Sequence, residues 1–186
     1  MDQNAVVTSL MVLPVGAKIR SEPVAQVEVT KAGFAGDRHA GLTREAGSRD
    51  SNVPRGTVIR NTRQISIVAE EDLQTVAERL GVPEVKPQWL GSNMQLRGVP
   101  GLTKLEHGAR LRFSGGVVLV VEGENKPCRT PGEVLAAEYP EAAEVAARFA
   151  KEALGLRGLV GWVEQPGQLT LGESVEIVRS DEAAGG

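Results

Sequence analysis

The chain is poor in cysteine, histidine and aromatic side chains, and neither sign of charge is in large excess. One cysteine among 186 residues, Cys128, excludes an internal disulfide and any CxxC-type zinc site. The two histidines, His39 and His107, are too few for a histidine-based metal cage. Aromatic residues at 3% exclude a base-stacking platform. Lys plus Arg number 21 against 24 Asp plus Glu, a net charge of −3. That balance sets aside nucleic acid and membrane surfaces as partners of the chain as a whole. Long apolar runs are missing too. Val6 to Leu13 is short and interrupted by Thr8 and Ser9, which fits neither a signal peptide nor a membrane span, so the expected location is the cytoplasm. There is no GxGxxG, Walker lysine, GxSxG or HExxH spacing, so nucleotide binding and the commoner hydrolase chemistries have no support.

What is present is an ordinary globular balance, 41% apolar and 24% charged, with 22 Gly and 10 Pro. A chain of this length buries a core without covalent staples. It is expected to form one domain over residues 1–180, followed by a small polar tail at 181–186 that frays. Short β-type runs recur between Gly- and Pro-containing turns: 6–12, 24–30, 64–68, 93–99, 110–113, 117–121, 161–164 and 174–178. In the second run, Ala25, Val27 and Val29 alternate with Gln26 and Glu28, the period of a half-buried strand. Gly115-Gly116 marks a hairpin. Helical spacing of Leu73, Val76, Ala77 and Leu80 predicts a helix over 70–80 closed by Gly81. A second helix is expected over 141–154, after Pro140 and before Gly155, and a shorter one over 132–138. The pattern is mainly β, a barrel or sandwich with two or three helices.

Three places carry side chains able to do chemistry. The segment from Arg38 to Arg63 holds six arginines and no lysine, is poor in apolar residues and shows no periodicity. It reads as a long loop: either a solvated mobile one, or one whose planar guanidinium groups grip an anionic small ligand. Cys128 follows the apolar run 117–121, in Lys126-Pro127-Cys128-Arg129. The adjacent cations would favour a thiolate able to act as nucleophile or soft-metal ligand, whereas an isolated cysteine is otherwise an inert hydrophobe. Gly33 to Gly41 is a turn-rich patch in which Asp37 is placed to orient Arg38 or His39.

Taken in order, these pieces resemble the MOSC family, the domain named for the C-terminal part of molybdenum cofactor sulfurases. The resemblance is carried by Gly36-Asp37-Arg38-His39-Ala40-Gly41, Arg63-Gln64-Ile65-Ser66 and Leu90-Gly91-Ser92-Asn93-Met94. It continues through Leu105-Glu106-His107-Gly108-Ala109-Arg110-Leu111, Pro127-Cys128 and Arg157-Gly158-Leu159-Val160-Gly161-Trp162-Val163, to Leu171-Gly172-Glu173-Ser174-Val175. It implies a MOSC-type β-barrel with two or three helices and a pocket for the molybdenum cofactor, molybdopterin with its metal. Cys128 is then the implied molybdenum ligand or sulfur carrier. Arg38, Arg63 and Arg129 are implied contacts to the cofactor's phosphate and pterin edges, and Asn93 a polar contact. No pyridoxal phosphate site accompanies them, and one cysteine cannot ligate an iron–sulfur cluster. Any sulfur or electrons must come from a separate donor, and the implied partners are molybdopterin itself or molybdoenzyme maturation proteins. The short form points to cofactor handling or sulfur carriage. The alternatives are a molybdenum-dependent oxidoreductase reducing N-hydroxylated compounds, and a non-catalytic anion-binding β-domain.

Overall fold

The computed structural model describes residues 5–142 and 144–179. In chain order the strands begin with β1 (Ala5–Val12), β2 (Glu22–Val24), β3 (Gln26–Thr30), β4 (Gly33–Phe34), β5 (Thr43–Glu45) and β6 (Val58–Arg60). Next come β7 (Ile65–Ala69), helix α1 (Glu70–Leu80), β8 (Met94–Arg97), β9 (Arg110–Phe113) and β10 (Val118–Glu124). Helices α2 (Arg129–Glu138) and α3 (Val145–Glu152) precede β11 (Leu159–Gln165), β12 (Gly167–Thr170) and β13 (Ser174–Val178).

Seven strands close into a barrel in the order β13-β9-β10-β11-β7-β8-β1, shut by β1 pairing back onto β13 with Ala5 opposite Val175. Six of the pairings are antiparallel, and β7 with β8 is parallel. A parallel pair needs a crossover, and α1 with the short 3-10 turn Pro87–Leu90 supplies it. Strand β2 pairs with β1 outside the closed ring, while β12-β3-β4 forms a small second sheet and β5-β6 a ribbon.

Strand β7 shows why the sequence reads as it does there. All five of its residues are buried. Ile65, Ile67 and Ala69 point into the barrel core, and Val68 faces the helical layer with Leu73, Val76, Leu135 and Phe149. Period-2 alternation serves two cores at once, so the run is apolar at every position but Ser66, whose N–H is taken by Asn93 Oδ1. Helix α1 buries the face expected of it and ends at Gly81, in the left-handed region at φ 71°, with its N–H returned to Glu78 O.

Four expectations are corrected. The run 24–30 is two strands, broken between β2 and β3. The 141–154 helix begins at Val145: Pro140 occupies the second position of a turn closed by Ala142 N–H to Tyr139 O, a site its fixed φ favours as much as a helix start. Helix α2 starts at Arg129 rather than 132, because Pro131 in a first turn forfeits only an N–H that has no intrahelical partner. The segment 38–63 is no simple loop, since it contains the β5-β6 ribbon, with Arg44 opposite Ile59. The fraying tail expected at 181–186 lies outside the described residues. No helix among the described residues is long and apolar enough to cross a membrane.

Candidate functional site

Strand β10 ends at Glu124, and the next residue, Asn125, is buried and ties the end of the barrel together. Its N–H donates to Gly158 O at 2.9 Å and its Nδ2 to Ser66 Oγ at 3.1 Å. Its Oδ1 accepts from Arg49 Nη1 at 3.1 Å and Arg63 Nη2 at 3.2 Å, so one amide oxygen gathers two guanidinium groups. Three residues on, Cys128 is exposed and stands at the N-cap of α2 in extended conformation.

Arg157 reaches the same place from the other direction. Gly158 has φ +91°, and a Cβ there would lie 2.0 Å from Ile67 O; only glycine lets the chain pass so close to β7. Arg157, just before it, is 6% exposed. Its Nη2 donates to Leu90 O at 2.6 Å, while Nη1 is buried with no partner among the described residues. Burial lowers its pKa to about 10, with the Cys128 sulfur opposing the shift and Arg49 and Arg63 adding to it. Burial also lowers Arg63, again with Arg49 and then Arg44 pressing on it. Crowded like charges at low dielectric make a site that gains by accepting an anion.

These groups wall a cleft of about 660 Å³, a volume usual for small-ligand sites. Lys18 and Arg38 stand on one wall, the Arg38 guanidinium held by the carbonyls of Ala17 and Lys18 at 2.6 and 3.1 Å. Arg44, Arg49 and Arg63 form another; Lys126, two residues before Cys128 in the chain, and Arg157, brought to it by the fold, complete the lining. Among the described residues that line it, none is Asp or Glu. Asp50 lies behind, taking Arg44 at 2.7 and 2.6 Å and Gly47 N–H at 2.8 Å, contacts that hold its carboxyl well below the usual range.

His39 also lines the cleft, backed by Asp37. Asp37 Oδ2 accepts from Leu13 N–H at 2.7 Å and Asn93 Nδ2 at 2.6 Å; Oδ1 accepts from His39 N–H at 2.8 Å and faces His39 Nδ1 at 3.1 Å. Burial opposes ionisation of Asp37, but the bonds from the His39 ring, Leu13 and the His39 backbone outweigh it, and its pKa falls below the ordinary value.

Of the five residues singled out in the sequence, Cys128, Arg38 and Arg63 come together on the cleft wall. Asn93 and Arg129 do not. Asn93 has no exposure: its Oδ1 accepts from Ser66 N–H at 3.0 Å and its Nδ2 is taken by Asp37, so it clamps the fold beneath the site. Arg129 points outward along α2, 82% exposed, and pairs with Glu133 one turn on. Sequence reasoning missed Arg157, Asn125 and the separate importance of Arg49. Arg157-Gly158 carried the one available signal, a charge beside a glycine ahead of an apolar strand.

The comparisons agree with this architecture. A model of the MOSC domain matches residues 37–176. YuaD of Bacillus subtilis (strain 168), a protein named for metal-sulfur cluster biosynthesis, is 46% identical over 145 residues, 78% of this chain and 76% of that protein. The crystal structure of Bacillus subtilis YuaD superimposes with a TM-score of 0.91 at 39% identity, covering 95% of this chain and 97% of that one. YiiM from Geobacillus stearothermophilus shares the fold, with a TM-score of 0.61 at 18% identity over 94% of this chain and 75% of that one. Barrel, helices and ordered motifs therefore have one explanation: the chain belongs to the MOSC domain family.

Proposed function

We propose that this protein binds the molybdenum cofactor in the Cys128 cleft and handles it, or supplies sulfur to it, in concert with a separate donor. The observation that carries the reading is Arg157: a nearly buried guanidinium with an unpartnered Nη1, on the wall of a cleft whose ionised groups are cationic. A buried, unsatisfied donor costs stability unless something fills it. A phosphate-bearing pterin offers the oxygen that Arg157 Nη1 lacks and further acceptors to Arg63 and Arg49, which share the single Asn125 Oδ1, and bidentate guanidinium geometry suits phosphate. Cys128 fits the metal end, since a thiolate is a soft ligand and this one is exposed at the cleft. When bound, the cofactor supplies a metal–dithiolene centre able to take a further sulfur ligand. The chain's own part is to hold the anion, present the sulfur and set its surroundings. The name of YuaD, with its reference to metal-sulfur clusters, supports the same reading.

The test is expression in a host that makes the cofactor, followed by measurement of bound pterin and molybdenum in wild type and Cys128→Ser. The expected result is pterin in both, with molybdenum retained by wild type and lost in the variant. Neither pterin nor molybdenum in wild type, while a control molybdoenzyme from the same host is loaded, overturns the reading.

A further inference from the structure

The node at Asn125 pairs guanidinium groups with an amide, where other arginines of the chain meet carboxylates. Arg110 donates to Glu164 at 2.7 and 2.8 Å, Arg44 to Asp50 at 2.7 and 2.6 Å, and Arg129 to Glu133 at 2.9 Å. Arg49 and Arg63 instead share Asn125 Oδ1, at 3.1 and 3.2 Å. Both partners can only donate, so the atom that faces them is the amide oxygen and not its nitrogen. Each gives one nitrogen to the amide, and the rest of its fork is free to meet a ligand's oxygens. The Asn125 N–H donates to Gly158 O at 2.9 Å, next to Arg157, whose Nη1 has no partner among the described residues. The charges of Arg49 and Arg63 act on Arg157.

An aspartate has the shape of this asparagine and would neutralise the cluster, and neither neighbour nor burial forbids it. Asn125 Nδ2 donates to Ser66 Oγ at 3.1 Å, but a serine hydroxyl can equally donate to a carboxylate. The same fold buries Asp37 and Asp72, 4% and 3% exposed. A carboxylate here would make charge-assisted bonds to both guanidinium groups, roughly twice as strong as bonds to an amide oxygen. It would also be a tethered competitor for any anion entering the cleft, whose lining has no Asp or Glu among the described residues. Stability forgone at a concave site is expected where a ligand supplies the missing charge.

We propose that Asn125 is the specificity-determining residue of a phosphate-monoester site: its neutral oxygen gathers Arg49 and Arg63 beside Arg157 and leaves their charge to be matched by a tetrahedral dianion. This rests on the reading that the cleft holds an anion, and the pterin's phosphate is one such monoester.

The probe is inorganic phosphate, titrated by calorimetry into cofactor-free protein at about pH 8, where it is a dianion, and at constant ionic strength. Wild type is expected to show saturable binding, with acetate at least about tenfold weaker. Asn125→Asp is expected to melt in chloride at or above the wild-type temperature, yet to bind phosphate at least about tenfold more weakly. Arg49→Gln, at an exposed position, is expected to weaken phosphate by a similar factor; Arg129→Gln, outside the cleft, is expected to leave it unchanged. Wild type that binds phosphate no better than acetate overturns the proposal. So does wild-type phosphate affinity in Asn125→Asp or Arg49→Gln. An Asn125→Asp protein that melts well below wild type overturns it too, because the amide is then structural. Wild type from the cofactor-making host that lacks pterin, while phosphate selectivity depends on Asn125, defeats the cofactor reading alone and assigns the site to another phosphate monoester. Pterin in wild type with unchanged phosphate affinity in Asn125→Asp defeats the role of Asn125 alone.

Discussion

At Arg157, stability and binding pull apart. The residue is buried with one hydrogen bond to Leu90 O and one empty nitrogen, near Arg49 and Arg63. Replacing a poorly satisfied buried charge by an apolar side chain of similar bulk is often neutral or stabilising. Arg157→Leu is therefore expected to melt at or a few degrees above the wild-type temperature, while bound pterin falls at least about tenfold, roughly the loss of one charge-assisted bond. A scanning melt beside a pterin assay checks both halves. A large drop in melting temperature would make Arg157 structural. Its place in the cleft wall was not legible in the sequence, where one arginine before a glycine looks like any other. Cys128 stood out as a candidate, because a single cysteine draws attention and Pro127-Cys128 fell within an ordered set of motifs. Asn93 and Arg129 show the limit of such transfer: side-chain direction, inward beneath Asp37 for one and outward beside Glu133 for the other, follows from packing that spacing does not encode.

The position of Cys128 depends on how two helices meet. Gly132, in the first turns of α2, lies against α3 so closely that a Cβ would stand 2.8 Å from Ala146 O and 2.9 Å from Phe149 Cβ. Because Phe149 is fully buried and Ala146 O is backbone, neither yields easily. Gly132→Ala is expected to push the helices apart at a cost of about 1–3 kcal/mol, read as a lower urea midpoint. It should also change the iodoacetamide rate of Cys128, which caps the displaced helix. An unchanged midpoint would show that the α2–α3 contact relaxes freely. The helices themselves were readable from apolar spacing, to within a few residues at their starts. The β5-β6 ribbon was not. Val58 is exposed and Thr43 and Glu45 face solvent, so three-residue strands held by backbone pairing leave no apolar alternation to read. What the ribbon does, docking Arg44 onto Asp50 and carrying Arg49 to Asn125, shows only in three dimensions.

The whole molecule is mildly acidic, yet its cleft is lined by seven cations and no carboxylate among the described residues. Dianions should therefore stabilise it specifically. Sulfate or phosphate is expected to raise the melting temperature above chloride at equal ionic strength, and Arg157→Leu to remove most of the difference. Equal melting in all three salts would count against an anion site. Acid acts the other way. Asp37, Asp50 and Glu164 have carboxyls held below their ordinary values. The unfolded chain thus binds more protons than the folded one in acid, so the stability these groups contribute is present above the unfolded carboxylate range, about pH 4, and lost as pH falls through their folded values. Asp72, raised by burial, works in the opposite sense and offsets part of the loss. The urea midpoint is expected to hold from neutrality to about pH 5 and to decline below about pH 4.

Strand content and a barrel-like architecture were legible in the recurring β-type runs, but closure was not, because it depends on a register between opposite ends of the described chain. That closure sets an order of events during synthesis. Of the described strands, β1 is made before the others and needs β13, made after them, to complete its pairing. Until β13 arrives the sheet stays open, and once β11 has joined β10 to β7 its unpaired edges are β9 and the Ala5–Val6 end of β1, the kind of template that recruits other chains. Protection from misassembly therefore comes late and all at once, when Val175 reaches Ala5 and both edges disappear together.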